Sequence, residues 1–259
     1  MRENKYDDQT FFEKYSQMAR SQKGLAGAGE WHELKKLLPD FRGKRMLDLG
    51  CGYGWHCKYA ADHDAAYVLG TDISKRMLDT ARTQNPGPRI EYRQAAMEEL
   101  CFPDKSFDVV FSSLAFHYVR DFAPLVERIS RWLTPGGSFV FSVEHPVFTA
   151  YGSQDWYYGA NGEILHFPVD NYYIEGRREA LFLGERVTKY HRTLTTYLGT
   201  LLQNGFQITG VVEPAPPEDM MDIPGMKDEL RRPMMLLVSA NKRRQGDVQS
   251  RRNQGGIIC

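Results

Sequence analysis

The chain has 259 residues, of which 25 % are charged and 42 % belong to the hydrophobic set, an ordinary composition for a globular protein. This length suits one α/β domain with a modest insertion, and the formal net charge of zero provides no global field that would attract nucleic acid or an anionic membrane. No stretch is long and apolar enough to span a membrane, and the polar residues 1–5 do not suit a signal peptide.

The four cysteines, Cys51, Cys57, Cys101 and Cys259, do not have metal-ligand spacing. We therefore predict no metal site. A reduced, cytoplasmic environment is the simplest expectation for a chain with so few cysteines.

Residues 1–40 are predicted to form a helical N-terminal lid. Aromatic residues recur from Tyr6 onwards at mixed helical spacing, and Tyr15 is a candidate substrate contact. Such a helix either packs on the domain or closes over a ligand, and the sequence leaves both alternatives open. Ser21 to Gly29 contains three glycines and predicts a hinge or a close-approach loop. Glu30 to Leu38 has apolar residues at helical spacing and predicts a second helix.

The central motif runs from Arg45 to His56. Met46 to Leu49 predicts a buried strand, and Gly50 to Gly54 predicts a tight turn before a helix. Alternate glycines permit positive φ and allow a ligand to lie on the main chain, where free N–H groups face it. Dinucleotide enzymes usually carry Gly-x-Gly-x-x-Gly, whereas this turn reads Gly-x-Gly-x-Gly. Asp48 would repel a pyrophosphate but suits a ligand with an ammonium group.

A second strand, Tyr67 to Gly70, ends at Thr71 and Asp72. Asp72 follows the glycine turn at a distance where a carboxylate can accept hydrogen bonds from two ribose hydroxyls. The alternative is that it is only a capping or surface acid. Ser74 is a natural N-cap for a helix over Lys75 to Gln84. Ile90 to Arg93 and Phe107 to Ser112 predict two further strands.

These segments resemble the class I S-adenosylmethionine-dependent methyltransferases, in particular the type 11/25-like bacterial family. The resemblance is carried by Leu47 to Gly54, Gly70 to Ser74 and Phe107 to Ser113. It implies an α/β, Rossmann-like seven-stranded sheet in the order 3-2-1-4-5-7-6, with an antiparallel last strand and flanking helices. It also implies S-adenosylmethionine as the cofactor. The cofactor-binding residues that it implies are Asp48, Gly50, Cys51, Gly52, Gly54, Asp72, Ile73, Ala96, Met97, Glu98, Ser112, Ser113 and Leu114.

Later elements complete this pattern. Asp121 is predicted to cap a helix over Phe122 to Leu133, and Ser138 to Val143 predicts the fifth strand. A helix beginning around Tyr190 to Thr193 is expected next, followed by a sixth strand over Phe206 to Glu213. Met234 to Ala240 is the expected last strand, inserted between strands five and six in the family.

The segment 147–189 is rich in aromatic residues and departs from the core pattern. One or two β-hairpins are expected in it. It either covers apolar surface or forms a cap over the acceptor pocket, and we favour the cap, because aromatic walls suit small organic ligands. The methyltransferase core would then be 41–146 and 190–241. Candidate substrate contacts here and at the junction with the core are Tyr151, Trp156, Tyr190 and Arg192, the last of which could instead form a salt bridge across the junction.

Three histidines, His117, His145 and His191, are candidate general bases, although each could equally cap or pack. An oxygen acceptor would require a base, whereas a thiolate or an amine would not. The residues after the fourth strand lack the Asn-Pro-Pro-Tyr pattern of adenine- and amide-nitrogen methyltransferases, which disfavours DNA as the substrate.

The tail, 242–259, carries five basic residues and one acidic residue and is expected to be disordered. The predicted function is methyl transfer to a small-molecule acceptor, with nucleic acid an unfavoured partner and the oligomeric state open. The alternatives are a tRNA or protein methyltransferase that uses the tail, a non-catalytic S-adenosylmethionine-binding protein, and a nicotinamide oxidoreductase, which the glycine spacing disfavours.

Overall fold

The computed structural model describes residues 4–244, and its centre is a seven-stranded sheet in the order β3-β2-β1-β4-β5-β11-β10. All neighbouring strands are parallel except β11, which runs antiparallel to both β5 and β10. The predicted strand order and the position of the reversed strand are therefore confirmed. The strands of the sheet are β1 (Arg45–Leu49), β2 (Tyr67–Asp72), β3 (Ile90–Gln94), β4 (Phe107–Ser113), β5 (Leu133–Glu144), β10 (Phe206–Val212) and β11 (Met235–Lys242).

Helices cover both faces of the sheet. They are α1 (Gln9–Ser16), α2 (Ala19–Gln22), α3 (Trp31–Leu37), α4 (Trp55–Asp62), α5 (Lys75–Gln84), α6 (Phe122–Trp132), α7 (Pro146–Ala150) and α8 (Leu194–Gln203). The predicted cap of α5 is confirmed, because the Ser74 side chain accepts a hydrogen bond from Met77 N–H. The predicted cap of α6 is wrong: Asp121 occupies the N-cap position, but its side chain makes no capping hydrogen bond, and its backbone there is not in the extended conformation typical of a cap.

Two apolar layers enclose the sheet. On one face, α3, α4 and α5 bury Leu34, Ala60 and Leu78 against the strands. On the other face, α6 and α8 bury a larger layer that includes Trp132 and Tyr197. The central strands are covered on both sides, which explains their continuous apolar sequence.

The aromatic insertion contains two hairpins, as expected. The hairpins pair β6 (Tyr157–Tyr158) with β7 (Ile164–His166) and β8 (Gly176–Phe182) with β9 (Glu185–His191). The expectation that Tyr190 and His191 open a helix is wrong, because both end β9 and extend its pairing with β8. The helix α8 instead starts after Thr193, whose side chain accepts from Thr196 N–H.

The N-terminal segment forms α1 and α2 rather than one helix, and 3-10 turns flank the pair at Lys5–Asp7 and Gly24–Gly27. Ser21 to Gly29 was expected to form either a hinge or a loop that approaches another segment closely. Close approach is observed, because a Cβ on Gly24 would lie only 2.9 Å from the Trp55 ring. In the tail, Lys242 still belongs to β11, whereas 245–259 lies outside the described residues. Within residues 4–244, every helix is too short or too polar to cross a bilayer.

Candidate functional site: the carboxyl edge of the sheet

The glycine turn between β1 and α4 is held in place by β2. The N–H groups of Gly50 and Cys51 both donate to Thr71 O, at 2.8 and 2.9 Å. Gly50, Gly52 and Gly54 all have positive φ, which L side chains rarely adopt. The space over Gly52 is open, because a Cβ there would meet nothing within 4 Å, whereas a Cβ on Gly54 would lie 2.2 Å from the Tyr92 hydroxyl. Gly52 thus faces free space, and Gly54 allows the turn to pack on β3.

Asp48 lies beneath the turn and is fully buried. Its Oδ2 accepts from the Cys57 thiol at 3.3 Å, and its Oδ1 is buried with no hydrogen-bond partner in the described part of the chain. Burial raises the pKa of this carboxyl to about 7, and nearby Asp72 adds to the effect. A buried oxygen without a partner can accept a hydrogen bond from a cationic donor.

Asp72 stands at the end of β2, beside the turn. Its Oδ2 accepts from Gly52 N–H at 2.9 Å and its Oδ1 from Ser74 N–H at 2.8 Å. Burial raises its pKa to about 6, against the effect of these hydrogen bonds. Each carboxylate oxygen keeps one acceptor site, as ribose recognition would need. The neighbouring Ile73 carbonyl accepts from Gln94 Nε2 at 3.1 Å, which ties the ends of β2 and β3 together.

The residues after β3 and β4 border the same region. Met97 packs against the core, and its Cε lies 3.4 Å from where a Cβ of Gly50 would be. Ala96 is buried, and the Glu98 carbonyl accepts from Arg128 at 2.7 Å. These contacts place the segment beside the glycine turn.

The serines that end β4 have structural partners. Ser112 Oγ donates to Leu49 O at 2.7 Å, and Ser113 Oγ lies 3.1 Å from Ser142 Oγ. Leu114 has a φ of 51°, and its N–H donates to Ser142 O at 2.9 Å. Cys51 is buried, and burial raises the pKa of its thiol to about 11, so it is a neutral group in the floor of the turn.

A cavity of about 80 Å³ separates the glycine turn from the N-terminal segment. Gly50, Gly52 and Ser113 line it on the side of the sheet, and Tyr15 lines it on the side of the N-terminal segment. Tyr15 packs edge-on against Tyr53 of the turn, with ring centroids 5.9 Å apart. The substrate candidate Tyr15 therefore lies directly over the predicted cofactor residues.

The N-terminal segment is tied down at further points. Asp7 accepts from Ser74 Oγ at 2.6 Å, next to Asp72, and Tyr6 lies 3.0 Å from the Tyr118 hydroxyl. Phe11 packs against Phe182 at the end of β8, with ring centroids 5.8 Å apart. The segment thus crosses from the Asp72 side of the site to the inserted hairpin.

A buried polar cluster occupies the end of β5. Lys189 of β9 donates to Glu144 Oε1 at 2.5 Å and to Gln154 Oε1 at 2.8 Å, and Gln154 Nε2 donates to Glu144 Oε2 at 2.7 Å. Glu144 N–H donates to Nδ1 of the buried His117 at 3.4 Å. Burial lowers the pKa of His117 to about 4, so the ring is neutral at pH 7 with its proton on Nε2. Sequence reasoning missed Glu144, Gln154 and Lys189 as a group, because they come from separate segments; their position at a strand end and in the cap was the available signal.

The other two candidate bases have structural partners. His145 caps α7: its Nδ1 accepts from Val147 N–H at 3.0 Å, while its Nε2 lies 2.8 Å from Glu213 Oε1. His191 is fully buried, with Nδ1 2.7 Å from Thr149 Oγ1 and Nε2 2.8 Å from Tyr172 O. Burial lowers the pKa of both rings and so favours their neutral forms. Both nitrogens of His191 are occupied, which leaves no site for a substrate proton.

The remaining substrate candidates are dispersed. Arg192 is buried and donates to the backbone carbonyls of Phe116, Val119, Arg120 and Tyr190, so it bridges the junction through carbonyl groups instead of a carboxylate. Tyr190 is a half-buried residue of β9.

Trp156 packs edge-on against Phe167, and the guanidinium groups of Arg231 and Arg232 lie 5.1 and 5.0 Å from its ring. It thus joins the insertion to the loop before β11. Tyr151 is 38 % exposed, immediately after α7. No cluster of three or more metal-ligating side chains occurs among residues 4–244.

This fold and site define a class of protein. The sheet is parallel except for β11, which lies between β5 and the edge strand β10. Asp48 and Asp72 flank the glycine turn. This is the arrangement of a class I methyltransferase. The unpartnered Oδ1 of Asp48 and the open space over Gly52 fit the ammonium group and the main-chain contact of S-adenosylmethionine.

Comparisons with known proteins support the same family. Residues 47–141 match the family model described as a methyltransferase domain. A crystal structure of an S-adenosylmethionine-dependent methyltransferase from Mesorhizobium loti superposes with a TM-score of 0.77, is 45 % identical, and covers 84 % of this chain and 100 % of its own. A candidate S-adenosylmethionine-dependent methyltransferase from Listeria monocytogenes has a TM-score of 0.81 and 55 % identity, covering 85 % and 99 %. An uncharacterised protein of Haemophilus influenzae is 33 % identical over 92 % of this chain and 96 % of its own length.

This chain belongs to the S-adenosylmethionine-dependent methyltransferases, and its cofactor is S-adenosylmethionine. Curated relatives with a named acceptor match only part of it. The ubiquinone biosynthesis O-methyltransferase of Neisseria meningitidis is 33 % identical over 55 % of this chain and 65 % of its own length. The phosphoethanolamine N-methyltransferase of Triticum aestivum is 31 % identical over 46 % of this chain and 23 % of its own.

Proposed function

We propose that this methyltransferase acts on a small-molecule acceptor. The observation that carries the proposal is the enclosure of the carboxyl edge of the sheet. The β8–β9 hairpin lies over the end of β5 through Lys189 and reaches α1 through the contact of Phe182 with Phe11 and the 3.4 Å ion pair of Lys14 with Glu185. A roofed site of this kind suits a small molecule better than a folded protein or an RNA.

The proposal assigns a role to each part of the chain. Residues 41–146 and 190–241 form the methyltransferase core, 1–40 a lid over the cofactor, and 147–189 a cap on the acceptor side. The hydrogen bond of Asp7 to Ser74 and the contact of Tyr15 with Tyr53 support the lid. Two relatives that match about half of this chain differ in their named acceptors, which supports specificity arising outside the shared part.

In this mechanism the cofactor supplies an activated methyl group, and the protein supplies alignment. Asp48 and Gly50 to Gly54 hold the methionine end, Asp72 and Ile73 bind the ribose, and Ala96 to Glu98 border the adenine. Ser112 to Leu114 position the edge between the cofactor and the acceptor. The cap, with the Glu144–Lys189 pair beneath it, shapes the acceptor side.

We propose that transfer depends on this alignment more than on a histidine base. Nδ1 of His145 and both ring nitrogens of His191 take part in structural hydrogen bonds. The pKa of His117 is lowered to about 4 by burial, which makes it a weak base at neutral pH. His117→Asn preserves a hydrogen-bond acceptor for Glu144 N–H, and we expect kcat to fall less than about tenfold. A loss of about 10²- to 10⁴-fold, the usual contribution of a general base, would assign that role to His117.

The test of the acceptor class uses the purified full chain and labelled S-adenosylmethionine. Small amine, thiol, hydroxyl and carboxylate compounds are screened beside bulk tRNA and a protein extract, and a variant that lacks residues 245–259 is assayed in parallel. We expect label in a small molecule, with equal rates for both chains. Label only in RNA or protein, lost with the tail, would refute the proposal, and cofactor binding without transfer to any acceptor would favour a non-catalytic binding protein.

A further inference from the structure

Arg20, at the end of the N-terminal segment, lines the cavity over the glycine turn. Its position is fixed by a buried ion pair, in which Arg20 Nη2 donates to both carboxylate oxygens of Glu30 at 3.1 and 2.9 Å. The Glu30 side chain is 2 % exposed and that of Arg20 is 22 % exposed. Both residues line the cavity, and the nearly buried Glu30 carboxylate fixes the guanidinium at its wall.

The charge in this cavity is unequally distributed. Among the described residues that line it, Arg20 and Glu30 carry formal charges, and His56 does not, because burial lowers the pKa of that ring to about 3. Both hydrogen bonds to Glu30 use Nη2, so Nε and Nη1 remain as donors for a further group. Among the described residues that line the cavity, Arg20 is thus the one that keeps a positive charge at neutral pH.

We infer that Arg20 binds the carboxylate at the methionine end of S-adenosylmethionine. That end of the cofactor is a zwitterion, so it requires a cation partner as well as an anion partner. Asp48 supplies the anion beneath the turn, and Arg20 supplies the cation from the opposite wall of the cavity. A guanidinium fixed by a buried carboxylate loses little rotamer freedom when a second carboxylate arrives. The inference rests on the cofactor, and no part of it depends on the nature of the acceptor.

The experiment is calorimetric titration of the full chain with three ligands that differ at one end: S-adenosylhomocysteine, decarboxylated S-adenosylhomocysteine and methylthioadenosine. The wild type is compared with Arg20→Gln and with Arg186→Gln, which removes an exposed charge on β9 as a matched control. We expect Arg20→Gln to weaken binding of S-adenosylhomocysteine about ten- to hundredfold, the usual effect of losing a charged hydrogen bond. Binding of the other two ligands should change less than about threefold, and Arg186→Gln should leave all three unchanged.

An equal loss for all three ligands would overturn the inference, since it would mean that Arg20 only holds the segment in place. Circular dichroism and a thermal melt establish that each variant folds. Arg20→Lys keeps the charge without the planar fork and should bind S-adenosylhomocysteine with intermediate affinity. If neither variant folds, the test uses the wild type alone. Its affinity for decarboxylated S-adenosylhomocysteine should then be about tenfold or more below its affinity for S-adenosylhomocysteine, and equal affinities would refute the assignment.

Discussion

Asp48→Asn should stabilise the protein while damaging the site, and the effect should depend on pH. The wild-type carboxyl is fully buried, keeps Oδ1 without a partner, and has a pKa raised to about 7. In the unfolded chain an aspartate titrates near about 3.9. Between these two values the folded state holds the proton and the unfolded state does not, so the free energy of unfolding falls as the pH rises from about 4 to about 7.

A difference of about three pKa units between the folded and unfolded states corresponds to at most about 4 kcal/mol. The wild type loses this much of its free energy of unfolding when Asp48 ionises. Asparagine has nearly the same shape and no charge, so it avoids this loss. We therefore expect the variant to be more stable than the wild type by roughly 2–4 kcal/mol at pH 8. The advantage should shrink towards zero as the pH falls to about 4. Taking the difference between the two proteins removes the contributions of the histidines, which titrate in both.

The assay is urea denaturation of both proteins, without ligand, at pH 8 and pH 5. We expect the stability difference to decrease by more than about 2 kcal/mol between these conditions. A difference independent of pH would refute the idea that Asp48 carries an uncompensated charge. Calorimetry should also show weaker binding of S-adenosylhomocysteine to the variant, because the proposed acceptor for the ammonium group has lost its charge.

Four other variants test separate parts of the structure. Asp72→Ala should weaken S-adenosylhomocysteine binding by roughly 1–3 kcal/mol through loss of charged hydrogen bonds, and unchanged affinity in calorimetry would remove Asp72 from the ribose site. Gly52→Val should lose some stability, because a β-branched residue disfavours the φ of 52° at this position. It should still fold, because the space over Gly52 is open, but should not bind the cofactor; a folded variant that still binds would place the ligand elsewhere. Gly54→Val, its matched control, should lower the melting temperature sharply, because its Cβ would collide with Tyr92. His191→Ala should cost roughly 2–4 kcal/mol of stability by leaving buried partners unpaired, and a fall in kcat at unchanged stability would instead indicate catalysis.

The sequence determined the sheet and the edge at which the candidate cofactor residues meet. Leu47 to Gly54 is a local strand–turn–helix unit, and the residues that follow β1, β2 and β4 must meet at one edge because these strands are parallel. Ser74 was predictable as an N-cap because a cap depends only on neighbours within one helical turn. The family resemblance added the position of β11, which local pattern does not determine.

Only the tertiary structure decided which polar side chains are free to act. Arg192 bonds to carbonyls more than seventy residues earlier in the chain, and His191 contacts Thr149 across the insertion. No periodic pattern in the sequence pairs Arg20 with Glu30, although the two residues are only ten positions apart. Periodicity and capping patterns record neighbours along the chain, whereas the partner and the pKa of a buried charge depend on segments that folding brings together from elsewhere.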